Sequence, residues 1–304
     1  MSFTSNIKTE ISKLKITEAE QISELSAIVA NSSQISDTIK ITTENASVAR
    51  RIYTFEREIY KIIPKITVRK GYNYNKSYIY IIEAKYNLKL FLSYLGMDEI
   101  GIPLQYIIDD DNLMRSYIRG LFLSCGSIND PKKSRYHLEF LVQKEDYAEF
   151  IKEILNNYQL NSKIIKRDNK YMIYIKEAEK IGDFLRIIGA TQAVLYYEDI
   201  RIYRDHKNMT NRLNNCEQAN VDKIIATAST QIHHIETIEK IGGLDLLDEK
   251  TKEAAIYRLK YPEASLVELG EIITLETGNP ITKSGLHHRF RKIKELAERI
   301  ESKD

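Results

Sequence analysis

Between residues 18 and 96 the apolar and polar positions change period in a definite order. Helical spacing over 18–32 gives way to two-residue alternation over 39–43. A helix follows over 45–60, then strands over 65–70 and 78–83, and a helix over 86–95 closed by Gly96. The same order returns further on: helix 112–125, strand 136–142, helix 145–158, strands 163–167 and 171–176, helix 177–188, then Gly189. Leu25 to Ile118, Ile81 to Tyr174 and Gly96 to Gly189 are separated by one common interval. A chain that repeats both its periods and its glycine helix ends at fixed spacing reads as a duplication. Each copy, 18–96 and 111–189, is α-β-α-β-β-α, and Asp109-Asp110-Asp111-Asn112 makes a polar joint between them.

Strand alternation divides the sheet faces. Ile39, Ile41, Ile66 and Val68 are expected to face a helix-covered core, and Lys40, Thr42, Lys65, Thr67 and Arg69 to face outward. In the second copy Lys163, Arg167 and Lys176 are outward candidates, and His137 and Glu139 share the outward face of their strand.

Past Gly189 the pattern is helical over 191–240. It is interrupted where Asn208, Asn211, Asn214 and Asn215 crowd together, because asparagine side chains compete for backbone hydrogen bonds. A linker is expected over 208–220, dividing a domain over 1–207 from a helical one over 221–304. Within the latter, Ser265 and Glu268 have the spacing of a capping box and Thr282 is a good N-cap. Leu286, Phe290, Ile293, Ala297 and Ile300 form a buried stripe on the last helix. Lys283, His287, Arg291 and Lys294 recur on another face. Together with Arg289 and Lys292 they give a run without an acidic residue from Thr282 to Lys294. This is the composition of a recognition helix, and a helix-turn-helix is expected over 265–297. The connection from Thr274 to Ile281 is longer than usual for that motif.

Charge narrows the chemistry. Lys plus Arg is 45 against 43 for Asp plus Glu, a formal net charge of +2 over 304 residues. A globally basic coat is excluded, so any nucleic-acid affinity comes from charge segregated locally. Two cysteines, Cys125 and Cys216, exclude a disulfide scaffold and paired-cysteine zinc sites. His233-His234 and His287-His288 are adjacent pairs that point about 100° apart on a helix. No metal site, no cofactor and no nucleophile–base arrangement is expected. Gly278 to Ser284 ends like a phosphate loop, but Thr282 stands where the glycine before the lysine belongs. No apolar run approaches the roughly 20 residues that span a bilayer, and the opening residues lack a signal-peptide core. A cytoplasmic, monomeric protein is expected.

The duplicated unit resembles the LAGLIDADG homing-endonuclease fold. Ile118-Arg119-Gly120-Leu121-Phe122-Leu123-Ser124-Cys125-Gly126-Ser127-Ile128 is similar to that motif, and Leu25-Ser26-Ala27-Ile28-Val29-Ala30-Asn31-Ser32-Ser33 is its weaker twin. In active enzymes of that fold the last acidic residue of each motif binds divalent ions. Those positions are Ser32 and Cys125 here.

With the C-terminal helix-turn-helix, the layout resembles the WhiA family of bacterial DNA-binding regulators. Thr43-Glu44-Asn45-Ala46, Asn211-Arg212-Leu213, Asn215-Cys216-Glu217, Ala264-Ser265-Leu266 and Pro280-Ile281-Thr282-Lys283-Ser284-Gly285-Leu286 carry the resemblance, and the insert Leu275-Glu276-Thr277 departs from it. The resemblance implies an α+β duplicated LAGLIDADG-like domain followed by an all-α helix-turn-helix domain. It also implies non-enzymatic, sequence-specific binding of double-stranded DNA in the nucleoid. Roles in cell division, chromosome segregation and, in spore formers, sporulation go with it. The expected DNA contacts are Lys283, Ser284, His287, His288, Arg289, Arg291, Lys292 and Lys294, with secondary contacts at Lys40, Lys65, Thr67, Arg69, Lys163 and Arg167. Two alternatives stay open: an adaptor docking on RNA polymerase or another transcription factor, and a metal-dependent homing endonuclease.

Overall fold

In the computed structural model, which describes residues 2–31, 34–35, 38–71, 78–85, 93–98, 101–133 and 135–302, the chain opens with a helix outside the repeated pattern. This is α1 (Phe3–Ile11), capped by Ser2, whose side chain accepts from Ser5 N. Phe3, Ile7 and Ile11 recur every four residues and are buried. In α2 (Glu18–Ala30) a complete Thr17–Glu20 capping box satisfies two end donors. Strands β1 (Gln34–Ile35) and β2 (Thr38–Thr43) follow, then α3 (Ala46–Tyr60), β3 (Lys65–Lys70) and β4 (Tyr78–Lys85). The helix expected over 86–95 falls, except for its last residues, outside the described residues.

The second copy repeats this plan. Its elements are α4 (Asp111–Cys125), β5 (Gly126–Ile128), β6 (Leu138–Val142), α5 (Glu145–Asn157), β7 (Lys163–Arg167), β8 (Lys170–Ile175) and α6 (Ala178–Ile187). Each copy therefore carries one more strand than the alternation reveals, β1 or β5, directly after the motif helix. Both sheets are antiparallel and share one topology, β1-β2-β4-β3 and β5-β6-β8-β7. The motif helices α2 and α4 pack against each other at the centre of the core, where Leu25, Ala27, Tyr117, Ile118 and Leu121 are fully buried.

The helix break expected at 208–220 is absent. A single helix, α7 (Thr191–Gly242), runs through 208–220. No Gly or Pro occurs between Thr191 and Ile241, and asparagine costs only a few tenths of a kcal/mol per helical position. Every side chain from 205 to 223 is exposed, so water rather than the helix backbone can satisfy the asparagine amides.

The chain forms two compact units, Met1–Asp205 and His206–Asp304. The second is built on the C-terminal part of α7 with α8 (Glu249–Lys260), α9 (Leu266–Thr277) and α10 (Lys283–Glu301). Its own core contains Ile235, Ile238, Leu269, Ile273, Leu286, Phe290 and Ile293. Among the described residues, no helix is long and apolar enough to cross a membrane.

Candidate nucleic-acid interface

The Ser265–Glu268 capping box starts α9, as its spacing predicts. The helix then runs further than expected. Leu275, Glu276 and Thr277 form its last turn, and Gly278 ends it in the left-handed region at φ +73°. The insert thus lengthens α9 instead of the turn, which shrinks to 278–282. Glu276 is held by Lys260 Nζ at 2.8 Å and by the Tyr261 hydroxyl at 2.8 Å. Thr282 caps α10 by accepting from Gly285 N.

Leu286, Phe290, Ile293 and Ala297 bury one side of α10. The eight basic or polar candidates divide between the remaining sides. Lys283, Ser284, His287 and His288 are exposed on the first turns and make no ion pair or side-chain hydrogen bond among the described residues. Arg291 and Lys294 continue that side, each loosely paired along the helix, with Glu295 at 3.7 Å and Glu298 at 3.6 Å. Arg289 and Lys292 are turned the other way, toward α8. Arg289 donates to Glu253 at 3.0 Å, and Lys292 to Asp248, the N-cap of α8, at 3.1 Å. The Thr251 N–H, with the Lys292 ammonium adding to it, lowers the Asp248 carboxyl to about 2. These two cations bind the helices to each other. The linear run of charge conceals that division.

Periodicity also misses Arg258. Its side chain is fully buried with no carboxylate partner among the described residues. It donates to Gln231 Oε1 at 3.0 Å and to the carbonyls of Tyr261 and Ala264 at 3.3 and 2.6 Å, over the Phe290 ring. It therefore pins the chain just before Ser265, and with it the start of α9.

On the first sheet, register puts Lys40, Thr42, Lys65, Thr67 and Arg69 on one face with Glu83. Lys40 is tied to Glu83 at 3.5 Å. Ile66 and Val68 take the opposite face, yet they are 40% and 53% exposed rather than buried. They sit on the edge strand, whereas α3 packs on β2 and β4. On the second sheet Lys163 and Arg167 do face outward, among exposed Ile165 and Leu141. His137 Nε2 lies 3.0 Å from Glu139 Oε2 on that face, and Lys176 covers the Tyr174 ring. The outer face is a mixture of apolar, acidic and basic groups, not a continuous cationic track.

At the end of the second motif helix, Cys125 donates to Leu121 O at 3.4 Å, and burial pushes its thiol up to about 11. A neutral thiol is no ligand for a hard divalent ion. Ser32 lies outside the described residues. No group of three His, Cys, Asp or Glu that could hold a metal is gathered among the described residues. Cys125, the described member of the pair, does not fit a divalent ion of that kind.

Three family models match consecutive parts of the chain. They are the WhiA N-terminal LAGLIDADG-like domain over 18–98, the WhiA LAGLIDADG-like domain over 114–207 and the WhiA C-terminal HTH domain over 210–297. The probable cell division protein WhiA of Staphylococcus haemolyticus (strain JCSC1435) is 43% identical over 311 residues, which is 99% of this chain and 98% of that protein. The crystal structure of full-length DUF199/WhiA from Thermatoga maritima superposes with a TM-score of 0.60 at 27% identity, covering 98% of this chain and 99% of that one. That of the N-terminal LAGLIDADG domain of DUF199/WhiA gives 0.52 at 28% identity, covering 62% and 90%. Two sheets of one topology, a motif helix without its carboxylate and a capped helix-turn-helix agree with these matches from end to end. The chain belongs to the WhiA family.

Proposed function

We propose that this protein is a non-catalytic, sequence-specific DNA-binding regulator with a role in cell division, and that α10 is its recognition helix. One observation carries the reading: the N-terminal half of α10 presents Lys283, Ser284, His287, His288 and Arg291 on an exposed side, opposite the side that anchors it to the core. In helix-turn-helix proteins the first turns of the second helix reach base edges, and flanking cations fix register on phosphates. A neutral Cys125 where a carboxylate would bind metal supports the non-catalytic part. The sheets, with Lys40 neutralised by Glu83 and Glu139 facing outward, contribute weaker contacts at most.

The test is the salt dependence of duplex binding by the full chain. Lys283→Gln and Arg291→Gln should each flatten the slope of log K against log salt by about 0.9 for each phosphate left unneutralised. Arg289→Gln and Lys292→Gln should leave that slope unchanged while lowering thermal stability. Unchanged affinity and slope in a folded Lys283→Gln/Arg291→Gln double variant would refute α10 as the recognition helix. Metal-dependent linearisation of a plasmid would refute the non-catalytic assignment.

A further inference from the structure

A cavity of about 1170 Å³ in the first unit lies at the C-terminal end of the motif helix α4. Its walls come from α1, from the β2–α3 connection and from the start of β4, and include Leu123 and Ser124 of α4. Lys8 of α1 lines it. The residue is half-buried, and its ammonium has no acceptor or carboxylate in contact among the described residues. The Phe122 ring lies beside it, 5.6 Å from Nζ to the centroid. Burial lowers its pKa to about 8, while Cys125 and Glu44 act in the opposite direction. An ammonium so placed gives up hydration without a counterion, an expensive arrangement unless something anionic supplies the missing partner.

The cavity is furnished for such a partner. Ser5 Oγ and Thr43 Oγ1 accept from Asn45 Nδ2 and Asn45 N at 3.3 and 3.2 Å, which leaves their hydroxyl hydrogens free to donate. Ser47 at the start of α3 adds another hydroxyl to the lining, whereas the Thr42 side chain lies on the opposite face of β2 from Thr43. A tetrahedral oxyanion with several acceptor oxygens suits one tethered cation and neighbouring hydroxyl donors. Glu44 is exposed at the rim, and its charge favours the protonated state of Lys8. Cys125, whose charge would act on Lys8, is a neutral thiol and adds no negative charge nearby.

We propose that the cavity lined by Lys8 binds a phosphate group, with the Lys8 ammonium as its counter-charge and the Ser5 and Thr43 hydroxyls as its donors. A tethered lysine thereby occupies the end of the motif helix where metal-dependent enzymes of this fold hold divalent ions. The phosphate can belong to a DNA backbone or to a free phosphorylated molecule, and the two sources are separable.

The experiment uses the full chain in wild-type, Lys8→Met, Lys8→Arg and Glu44→Gln forms. Inorganic phosphate binding is followed by titration calorimetry against chloride of matched ionic strength. Duplex binding is followed in a Lys283→Gln/Arg291→Gln background that removes the α10 contribution. At a pH well below 8, where Lys8 is protonated with or without Glu44, a free phosphorylated ligand requires that phosphate binds saturably, that Lys8→Met weakens it about tenfold or more, that Lys8→Arg restores most of it and that Glu44→Gln tightens it. For a DNA source, Lys8→Met weakens residual duplex binding by a comparable factor whether or not free phosphate binds. Lys8→Met removes an unpaired, partly buried charge and should fold at least as well as wild type. Should it not, the Glu44→Gln shift carries the test. Phosphate binding that is indifferent to both Lys8 and Glu44 overturns the proposal. Absence of phosphate binding together with duplex binding unaffected by Lys8→Met overturns it equally.

Discussion

Glu24 lies on the buried side of α2 with no solvent exposure, and two arginines share it. Arg51 of α3 grips both carboxylate oxygens, and Arg119 of α4 reaches Oε2 at 3.2 Å. The surplus positive charge is spread over main-chain carbonyls: Arg51 Nη1 donates to Ser12 and Leu14 at 3.1 and 2.8 Å, and Arg119 Nε to Ile188 at 3.2 Å. One carboxylate thus joins both repeats and the segments that flank them. Replacing such a group alone is costly, because its partners stay buried without it. Glu24→Gln should destabilise the first unit by about 3–5 kcal/mol in chemical denaturation. A loss below about 1 kcal/mol, the scale of an exposed pair, would show that the network is solvated in solution. Local sequence patterns do not disclose this network, since its three members lie far apart along the chain and only the fold brings them together.

At the scale of elements, the contact between α2 and α4 depends on Gly120. A Cβ built there would lie 2.2 Å from Glu24 O and 2.9 Å from Ala27 Cβ, and Ala27 is the position equivalent to Gly120 in the first copy. Backbone has no rotamer with which to yield, so Gly120→Ala must push the helices apart. The expected loss is about 3 kcal/mol, the upper end for overpacking, despite the gain in helix propensity. A neutral or stabilising result in a melting curve would mean that the helices pack less closely than this.

The duplication itself is legible in the sequence because helices and strands of five or more residues state their period. β1 and β5 are not, since two or three residues, Gln34–Ile35 and Gly126–Ile128, cannot display an alternation. α1 lies outside the repeat and is short, so Ser2 and the spacing of Phe3, Ile7 and Ile11 are its whole signal. In α7 the local signal misleads in the opposite direction: asparagine disfavours a helix only weakly, and no stronger breaker accompanies it. The recognition helix is legible as an element. Its charges divide between α8 and solvent only once Glu253 and Asp248 are in place.

For the whole molecule, each unit has its own core, one centred on the motif helices and the other on Ile273, Leu286 and Phe290. The stretch of α7 from 205 to 223 is exposed throughout and packs into neither. A helical stretch without tertiary support is marginal in water and transmits little cooperativity. Calorimetry should therefore resolve two transitions. Unfolding enthalpy scales with length at about 0.7 kcal/mol per residue, so the larger unit should absorb roughly twice the heat of the smaller. This separation locates DNA binding without cutting the chain. A ligand that binds only the folded form stabilises the unit it binds, by about 2.7 kcal/mol at a hundredfold excess over Kd. In a domain of roughly 100 residues that raises the midpoint by about 10 °C or more. Saturating duplex should move the smaller transition by that amount and the larger one little, and Lys283→Gln/Arg291→Gln should abolish the shift. Should duplex raise the larger transition instead, the principal DNA surface would be the outer faces of the two sheets, and α10 would be left as a helix that serves a protein partner.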